Sequence, residues 1–218
     1  MRASDPALAQ AHRLLAAALP PHEVVPRREW REALAERSAG VWSDLRWHLL
    51  VAERMGRVLG MASGTFLGSV EVGMIGYLAL DPVLRGRGIG ARLRTRLRSR
   101  FERDAAEFRG RPLAAVVGEV DPDNPWLHYL MSRRGALALD LPYCQPPLRT
   151  GEPPHPLVLY YQPLHGRPRS LPVAEVRRLL FAIWRRLYRV ARPLQHPVFR
   201  RMLRSLQGRT RVRSRWPV

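Results

Sequence analysis

The sequence predicts an α+β protein built on a mixed, mostly antiparallel central sheet flanked by helices, and three observations carry that expectation. Two helical stretches are followed by three consecutive segments rich in β formers. Only short gaps, containing the turn signals Met55-Gly56 and Leu67-Gly68, separate those segments, so they read as an antiparallel meander. Later strand patterns alternate irregularly with helical ones, which excludes a doubly wound nucleotide fold.

In chain order, Ser4 or Asp5 can cap a helix through Leu8, Ala11, Leu15 and Ala18, and Pro20-Pro21 stops it. A second helix is expected from Arg27 to Arg37, ending at Gly40. The three strand segments are Trp47 to Glu53, Val58 to Phe66 and Val70 to Leu80. Leu93, Leu97 and Phe101 then recur at i, i+4 and i+8, the spacing of a buried helix face. Leu113 to Val120 reads as a buried strand, and Trp126 to Arg134 as a helix closed by Gly135. Pro142 to Gln145 and Leu157 to Gln162 read as the last strands. From Ser170, the residues Val173, Val176, Leu180, Ile183, Leu187 and Val190 form a helical seam that Pro193 breaks. A shorter helix from Pro197 to Gln207 should turn Phe199, Met202, Leu203 and Leu206 inward, with Gly208 as its stop.

At 218 residues the chain has room for one well-buried domain and an appendage. All 37 basic residues are Arg. The lack of Lys excludes a Walker A loop and Schiff-base chemistry. Residues 1–165 carry 22 Arg against 17 acids, whereas 166–218 carry 15 Arg against Glu175 alone. That contrast suggests a domain over 1–165 and a basic C-terminal helical extension over 166–218. One cysteine, Cys144, and seven scattered His give no internal disulfide and no metal-ligand spacing, so no metal is expected. No stretch reaches about 18 uncharged apolar residues, and a transmembrane segment is not expected. The start lacks a signal-peptide pattern, and a cytoplasmic setting is the expectation.

The most informative stretch is Leu80-Asp81-Pro82-Val83-Leu84-Arg85-Gly86-Arg87-Gly88-Ile89-Gly90. It delivers a glycine-rich, Arg-containing loop onto a helix N-terminus, where backbone N–H groups and the helix dipole favour a phosphate. Arg85 and Arg87 can add charge-assisted contacts. Neither Gly-Lys-Ser/Thr nor G-x-G-x-x-G is present.

This loop resembles the acetyl-CoA signature Q/R-x-x-G-x-G/A of the GCN5-related N-acetyltransferase (GNAT) superfamily, with Arg85, Gly88 and Gly90 at its fixed positions. Glu119-Val120-Asp121-Pro122-Asp123-Asn124, followed by Gly135-Ala136, looks like the family's E-V-x-x-x-N strand end and following helix. Together the matches span about Trp47 to Leu164. The resemblance implies acetyl-CoA as co-substrate, lying in a V-shaped opening between the fourth and fifth strands, and direct attack by an acceptor amine on the thioester. The implied cofactor-binding set is Arg85, Gly86, Arg87, Gly88, Ile89, Gly90, Ala91 and Arg92 around the pyrophosphate. The backbone of Leu78 and Leu80 would lie along the pantetheine, and Asn124 would contact the cofactor arm.

An alkyl amine of pKa ~10.4 must lose a proton before attack, at a cost of about 4–5 kcal/mol at pH 7, so a general base is useful. Glu119 is the first candidate, because its position carries the base in the ribosomal-protein alanine acetyltransferases it resembles. Its alternative is a strand-end carboxylate paired with an Arg. Glu71 is a second, weaker candidate on the strand entering the loop. Many relatives place a general-acid tyrosine four residues before the helix-ending glycine, and here that position is Met131. Tyr129 lies about 200° round the helix from it. Tyr143, on the next strand, is the candidate acid, against a reading as a half-buried strand aromatic. Cys144 with His128 is a poor nucleophilic pair, and His48, His155 and His165 form no constellation.

The leading expectation is an N-acetyltransferase acting on a small-molecule or protein amine. The missing tyrosine motivates a second reading, a sensor or scaffold that binds acyl-CoA with reduced catalysis. A third puts function in residues 170–218. There Arg alternates with Trp184, Tyr188, Phe199 and Trp216, a composition suited to a polyanion, either nucleic acid or anionic membrane. The Val173–Val190 seam instead has packing spacing, and would dock on the body or form a homodimer.

Overall fold

The computed structural model describes residues 4–149 and 151–216. They form two compact units, residues 4–68 with 73–113, and residues 69–72 with 114–216.

In the first unit, the Asp5 side chain accepts from Ala7 N–H at 2.9 Å and starts helix α1, Pro6–Ala18, with Pro6 at its first position. Its buried residues Ala7, Leu8, Ala11 and Leu15 share one face by their spacing of three and four. Helix α2, Arg27–Ser38, contributes Trp30 and Leu34 to the same core. Strands β1, Leu45–Arg54, and β2, Arg57–Leu67, form an antiparallel hairpin. Its two-residue turn takes Met55 and Gly56 to φ of 49° and 72°, the left-handed pair that matches strand twist. Gln10 of α1 bonds both sides of that turn, donating to Gly56 O and accepting from Val58 N–H at 3.0 Å each. Strand β3, Val72–Leu80, lies beside β2.

Helix α3, Ile89–Arg109, packs on the hairpin through Leu93, Leu97, Phe101 and Ala105. Gly73 is required there: a Cβ would stand 2.0 Å from the Phe101 ring. A polar network also enters this core. His48 Nε2 lies 2.5 Å from Asp104 Oδ2, Arg37 Nη1 lies 3.1 Å from His48 Nδ1, and Arg46 pairs with Asp104 at 3.3 Å and with Glu107. An arginine can only donate, so Nδ1 accepts and the imidazole is neutral with its proton on Nε2, directed at Asp104. Burial accordingly holds the His48 pKa below its usual value, against the pull of Asp104. Local sequence spacing assigns His48 no role. Its partners lie 11 and 56 residues away, beyond any local pattern.

In the second unit, strand β4, Ala115–Val120, pairs antiparallel with β8, Val158–Pro163, and β8 with β5, Leu137–Ala138. Helix α4, Pro125–Arg134, is capped by Asn124 and closed by left-handed Gly135. Leu127, Leu130 and Met131 of α4 pack with Val120, Val158 and Tyr160. Short ladders follow, β6, Cys144–Gln145, with β7, His155–Pro156, and β9, Ser170–Pro172, with β10, Arg211–Arg213.

Helix α5 is Val173–Ala182 and α6 is Pro197–Arg204. The expected continuous seam to Val190 ends early. At Ile183–Leu187 the backbone widens into a π turn, and Arg189 then takes φ +55°. Val176, Ile183, Trp184, Phe199, Met202, Leu206 and Val212 have no exposed surface, so the segment is folded into its unit. Asp140 N–H donates to Arg213 O at 3.0 Å, and Arg215 N–H to Ala138 O at 2.8 Å, tying its end to residues 138–140. The compact units therefore divide at 113/114, whereas charge divides the chain at 165/166. Arginines cover the outside of apolar residues, so the change in composition marks a solvent face. Trp184 and Phe199 are interior residues and cannot stack on a ligand, a correction to the interleaved aromatic surface expected of residues 170–218.

Replacing Asp104 by Ala should cost about 3 kcal/mol, because it strips the partner from a buried polar pair. The midpoint of denaturant unfolding measures this. Since His48 folds as a neutral ring, its contribution is complete above pH ~6.5. Below that the unfolded chain takes up the proton first, and stability should fall with pH.

Candidate active site

The glycine loop lies in the first unit. Asp81 caps a turn at Pro82–Leu84, accepting from Val83 N–H at 3.0 Å, and ends the path of β3. Gly86 and Gly88 then take φ of 73° and 72°, and Gly88 is the N-cap of α3. A Cβ at either would meet nothing within 4 Å, so backbone conformation is what demands glycine there. At Gly90 a side chain would fit only tightly. A Cβ there would stand 3.3 Å from Leu80 Cδ1 and 3.5 Å from Leu78 Cδ2. Ile89 and Ala91 lie in the first turn of α3, which no side chain caps and which contains no acidic residue. Its N–H groups therefore face outward with the positive end of the helix dipole. Arg85, Arg87 and Arg92 are exposed around this end and have no ion-pair partner among the described residues. An open backbone cradle, a helix terminus and three unpaired guanidiniums fit a pyrophosphate.

The candidate base lies in the second unit, one residue from the end of β4. Register puts Glu119 opposite Leu159 and Gly118 opposite Tyr160. A Cβ on Gly118 would stand 2.7 Å from the Tyr160 ring, so glycine lets that ring lie across the strand next to Glu119 in sequence, on the opposite face from the Glu119 side chain. Glu119 keeps some exposure, and each of its oxygens accepts a phenolic hydrogen bond, Oε1 from Tyr143 and Oε2 from Tyr188. No arginine takes part in either contact, which answers the alternative of a salt-bridged strand end. Burial pushes the Glu119 pKa up to about 7, against the lowering influence of the two hydroxyls.

Tyr143 is 2% exposed, just before β6 and not inside a longer strand. Burial first, and the adjacent Glu119 charge second, push its phenol well above the usual tyrosine value. It is thus a firm donor to the carboxylate and a poor source of a free proton. Tyr188 was legible in the sequence only as an aromatic among arginines. Its place on Glu119 depends on a contact across 69 residues. Met131 is packed in the core, so no polar group stands where relatives carry their tyrosine. Tyr129 stacks on Trp126 at 4.8 Å and carries Arg134 over its face. Asn124 Oδ1 accepts from Trp126 N–H at 3.0 Å, which commits that atom to the helix cap. Glu71 is corrected: it precedes β3, in a connection where its φ is +56°. Cys144 is buried, with Arg201 Nη2 3.6 Å from its sulfur.

Between pH 4.5 and 7 the unfolded chain ionises Glu119 while the folded chain holds its proton. Ionisation of this group should therefore lower stability by about 2–3 kcal/mol as pH rises through that window. The difference between wild type and Glu119→Gln unfolding free energies, measured at pH 4.5 and 7.5, isolates the effect.

A family model described as the acetyltransferase (GNAT) family matches residues 11–135. A solved structure described as a GNAT-family acetyltransferase from Bacteroides thetaiotaomicron is similar at 20% identity. The match covers 87% of this chain and 97% of that one, with a TM-score of 0.60. The structure of Ard1 from Thermoplasma volcanium is similar at 15% identity, over 73% of this chain and 92% of that one, with a TM-score of 0.50. At these identities the likeness is one of fold. No curated protein matches the sequence. The family match spans more than half of the residues and includes the glycine loop, and the chain belongs to the acetyltransferase (GNAT) family.

Proposed function

We propose that the protein is an acetyl-CoA-dependent N-acetyltransferase in which Glu119 is the general base. The single observation that carries this reading is the state of Glu119, a partly accessible carboxylate with a pKa near 7 held by two tyrosines and no cation. Bound acetyl-CoA supplies the thioester carbonyl that an amine attacks. The loop from Arg85 to Arg92 would hold the pyrophosphate through backbone N–H groups and guanidiniums. The β3 backbone at Leu78 and Leu80 would bond the pantetheine in the manner of an added strand.

Matching decides why the raised value matters. Against an ammonium of pKa ~10.4, a carboxylate at 4.5 is mismatched by ~6 units, about 8 kcal/mol. At about 7 the mismatch falls to ~3.4 units, about 4–5 kcal/mol, while roughly half the molecules remain ionised at neutral pH. Each carboxylate oxygen has a second lone pair beyond the one its tyrosine uses, available to the amine or a bridging water. Such tuning argues against the sensor reading, for which a perturbed, tyrosine-held acid has no purpose.

Glu119→Gln should reduce kcat/KM for acetyl transfer by about 10²–10⁴-fold with little effect on acetyl-CoA affinity. Wild-type kcat/KM should rise with pH through a midpoint near 7. Undiminished turnover in the variant would reject the assignment. Titration calorimetry at ~150 mM salt, with ATP as matched polyanion, tests the cofactor site. Saturable 1:1 binding of acetyl-CoA well above ATP is expected.

One observation favours a second activity in residues 166–216. Arg177 of α5 and Arg200 and Arg204 of α6, with Leu203 and Gln207, line a groove of about 340 Å³. All three guanidiniums are exposed and have no partner among the described residues. This groove suits the phosphodiester backbone of nucleic acid, whose affinity is set by counterion release. Arg200→Ala/Arg204→Ala should weaken single-stranded RNA binding and flatten its log K against log[salt] slope by about 2, with acetyl-CoA affinity retained. An unchanged slope would discard this contact.

A further inference from the structure

We propose that Tyr188 is a positioning residue of this active site, so that the Arg-rich C-terminal segment helps to build the base as well as its own solvent face. The inference rests on the reading of Glu119 as base.

Two features of the backbone show that the segment is shaped around this residue. The first is the π turn at Ile183–Leu187, in which Tyr188 N–H donates to Ile183 O at 3.1 Å, five residues back. An α-helix advances 100° per residue, so one inserted residue rotates everything after it by about a quarter turn. The tyrosine side chain is re-aimed accordingly. The second is Arg189, a non-glycine residue at φ +55°, whose left-handed conformation costs about 1 kcal/mol. Val190 N–H then closes the turn onto Trp184 O at 3.0 Å. Both irregularities flank Tyr188.

The turn is anchored. Trp184 is fully buried, its ring centroid 5.2 Å from Phe199 and 5.0 Å from His196. Ile183 is equally buried. A seam that simply packed would continue as a helix to Pro193. This one departs from helix where its tyrosine meets the carboxylate.

The two tyrosines hold the carboxylate by opposite means. Tyr143 is fixed in the core next to β6, whereas Tyr188 reaches Oε2 from a segment that enters the unit late in the chain. With one donor on each oxygen, the plane of the carboxylate is fixed and its remaining lone pairs have set directions. Each donor also favours the ionised form, the form a base requires. Without Tyr188, one oxygen would turn freely and the carboxyl would hold its proton more tightly.

The test is carbon-13 NMR titration of the Glu119 carboxyl in the full-length protein, its signal assigned by loss in Glu119→Gln. Tyr188→Phe keeps the ring and removes the hydroxyl that donates to Glu119. Tyr143→Phe is the comparison. The expected result for Tyr188→Phe is a midpoint displaced upward from the wild-type value near 7. The acid limb of kcat/KM should move with it, lowering kcat/KM several-fold at pH 6 and by less than about twofold at pH 9. A merely structural role would lower activity alike at both pH values and leave the carboxyl titration in place. An unmoved midpoint in a folded Tyr188→Phe protein overturns the proposal, and leaves the base assignment standing if Glu119→Gln is inactive. A displaced midpoint with an unmoved acid limb overturns both, because the carboxyl then has no part in the rate.

Discussion

A carboxylate withdrawn from water without a counter-cation is the constraint on which the candidate active site depends. Glu119 sits on β4 among residues that are almost wholly buried, and among the described residues its donors are the hydroxyls of Tyr143 and Tyr188. Had one of the 37 arginines reached it, the cation would have favoured the ionised form and drawn the pKa down. Neutral donors satisfy its lone pairs without removing its affinity for a proton. That balance keeps it near 7, close to the operating pH of a general base.

Around this site, arginine is managed by exposure. Arginine lacks a neutral form at ordinary pH, so each one must find water, an anion or a carbonyl. In the second unit several are spent on structure: Arg209 bonds Asp140 Oδ2 at 3.0 Å and its carbonyl at 2.8 Å, and Arg211 bonds the Ser170 hydroxyl at 2.7 Å. Others, at Arg177, Arg200 and Arg204, line one groove and face water. In the first unit, half-buried Arg46 and surface-exposed Arg37 each reach toward acceptors offered by Asp104 and Glu107 and by His48. The same residue type therefore serves as scaffold and as surface, according to what lies within reach.

The glycine loop works by a different rule, since its chemistry belongs to the backbone. The phosphate-binding role proposed for it would draw on two left-handed residues, an uncapped helix start and close seating of that helix on β3. Each requirement is local, spanning no more than the residues from Leu78 to Arg92. A substitution at Gly86 or Gly88 acts on conformation, and one at Gly90 acts on packing. This local character is why the loop was readable as an anion site before any fold was in view.

What the sequence determined by itself follows the same division. Helices α1, α2, α3 and α4, the β1–β2–β3 succession and the anion-binding loop depend on caps, turn glycines and periodicity, all encoded within a few residues of where they act. Glu119 is legible as a candidate base through the resemblance of its E-V-x-x-x-N motif to that of the ribosomal-protein alanine acetyltransferases. Tertiary structure alone decided the state of Glu119, because its pKa depends on burial and on hydroxyls 24 and 69 residues away. It also decided that residues 166–216 fold together with 114–165, since a run of arginines looks the same whether its apolar neighbours face a core or a partner. The π turn belongs here too: the repeat from Val173 to Val190 permits an unbroken helix, and only the competition between helix continuity and the packing of Trp184 and Tyr188 breaks it. Local chemistry can be read along the chain. The energy of a buried charge is set by everything the fold brings around it.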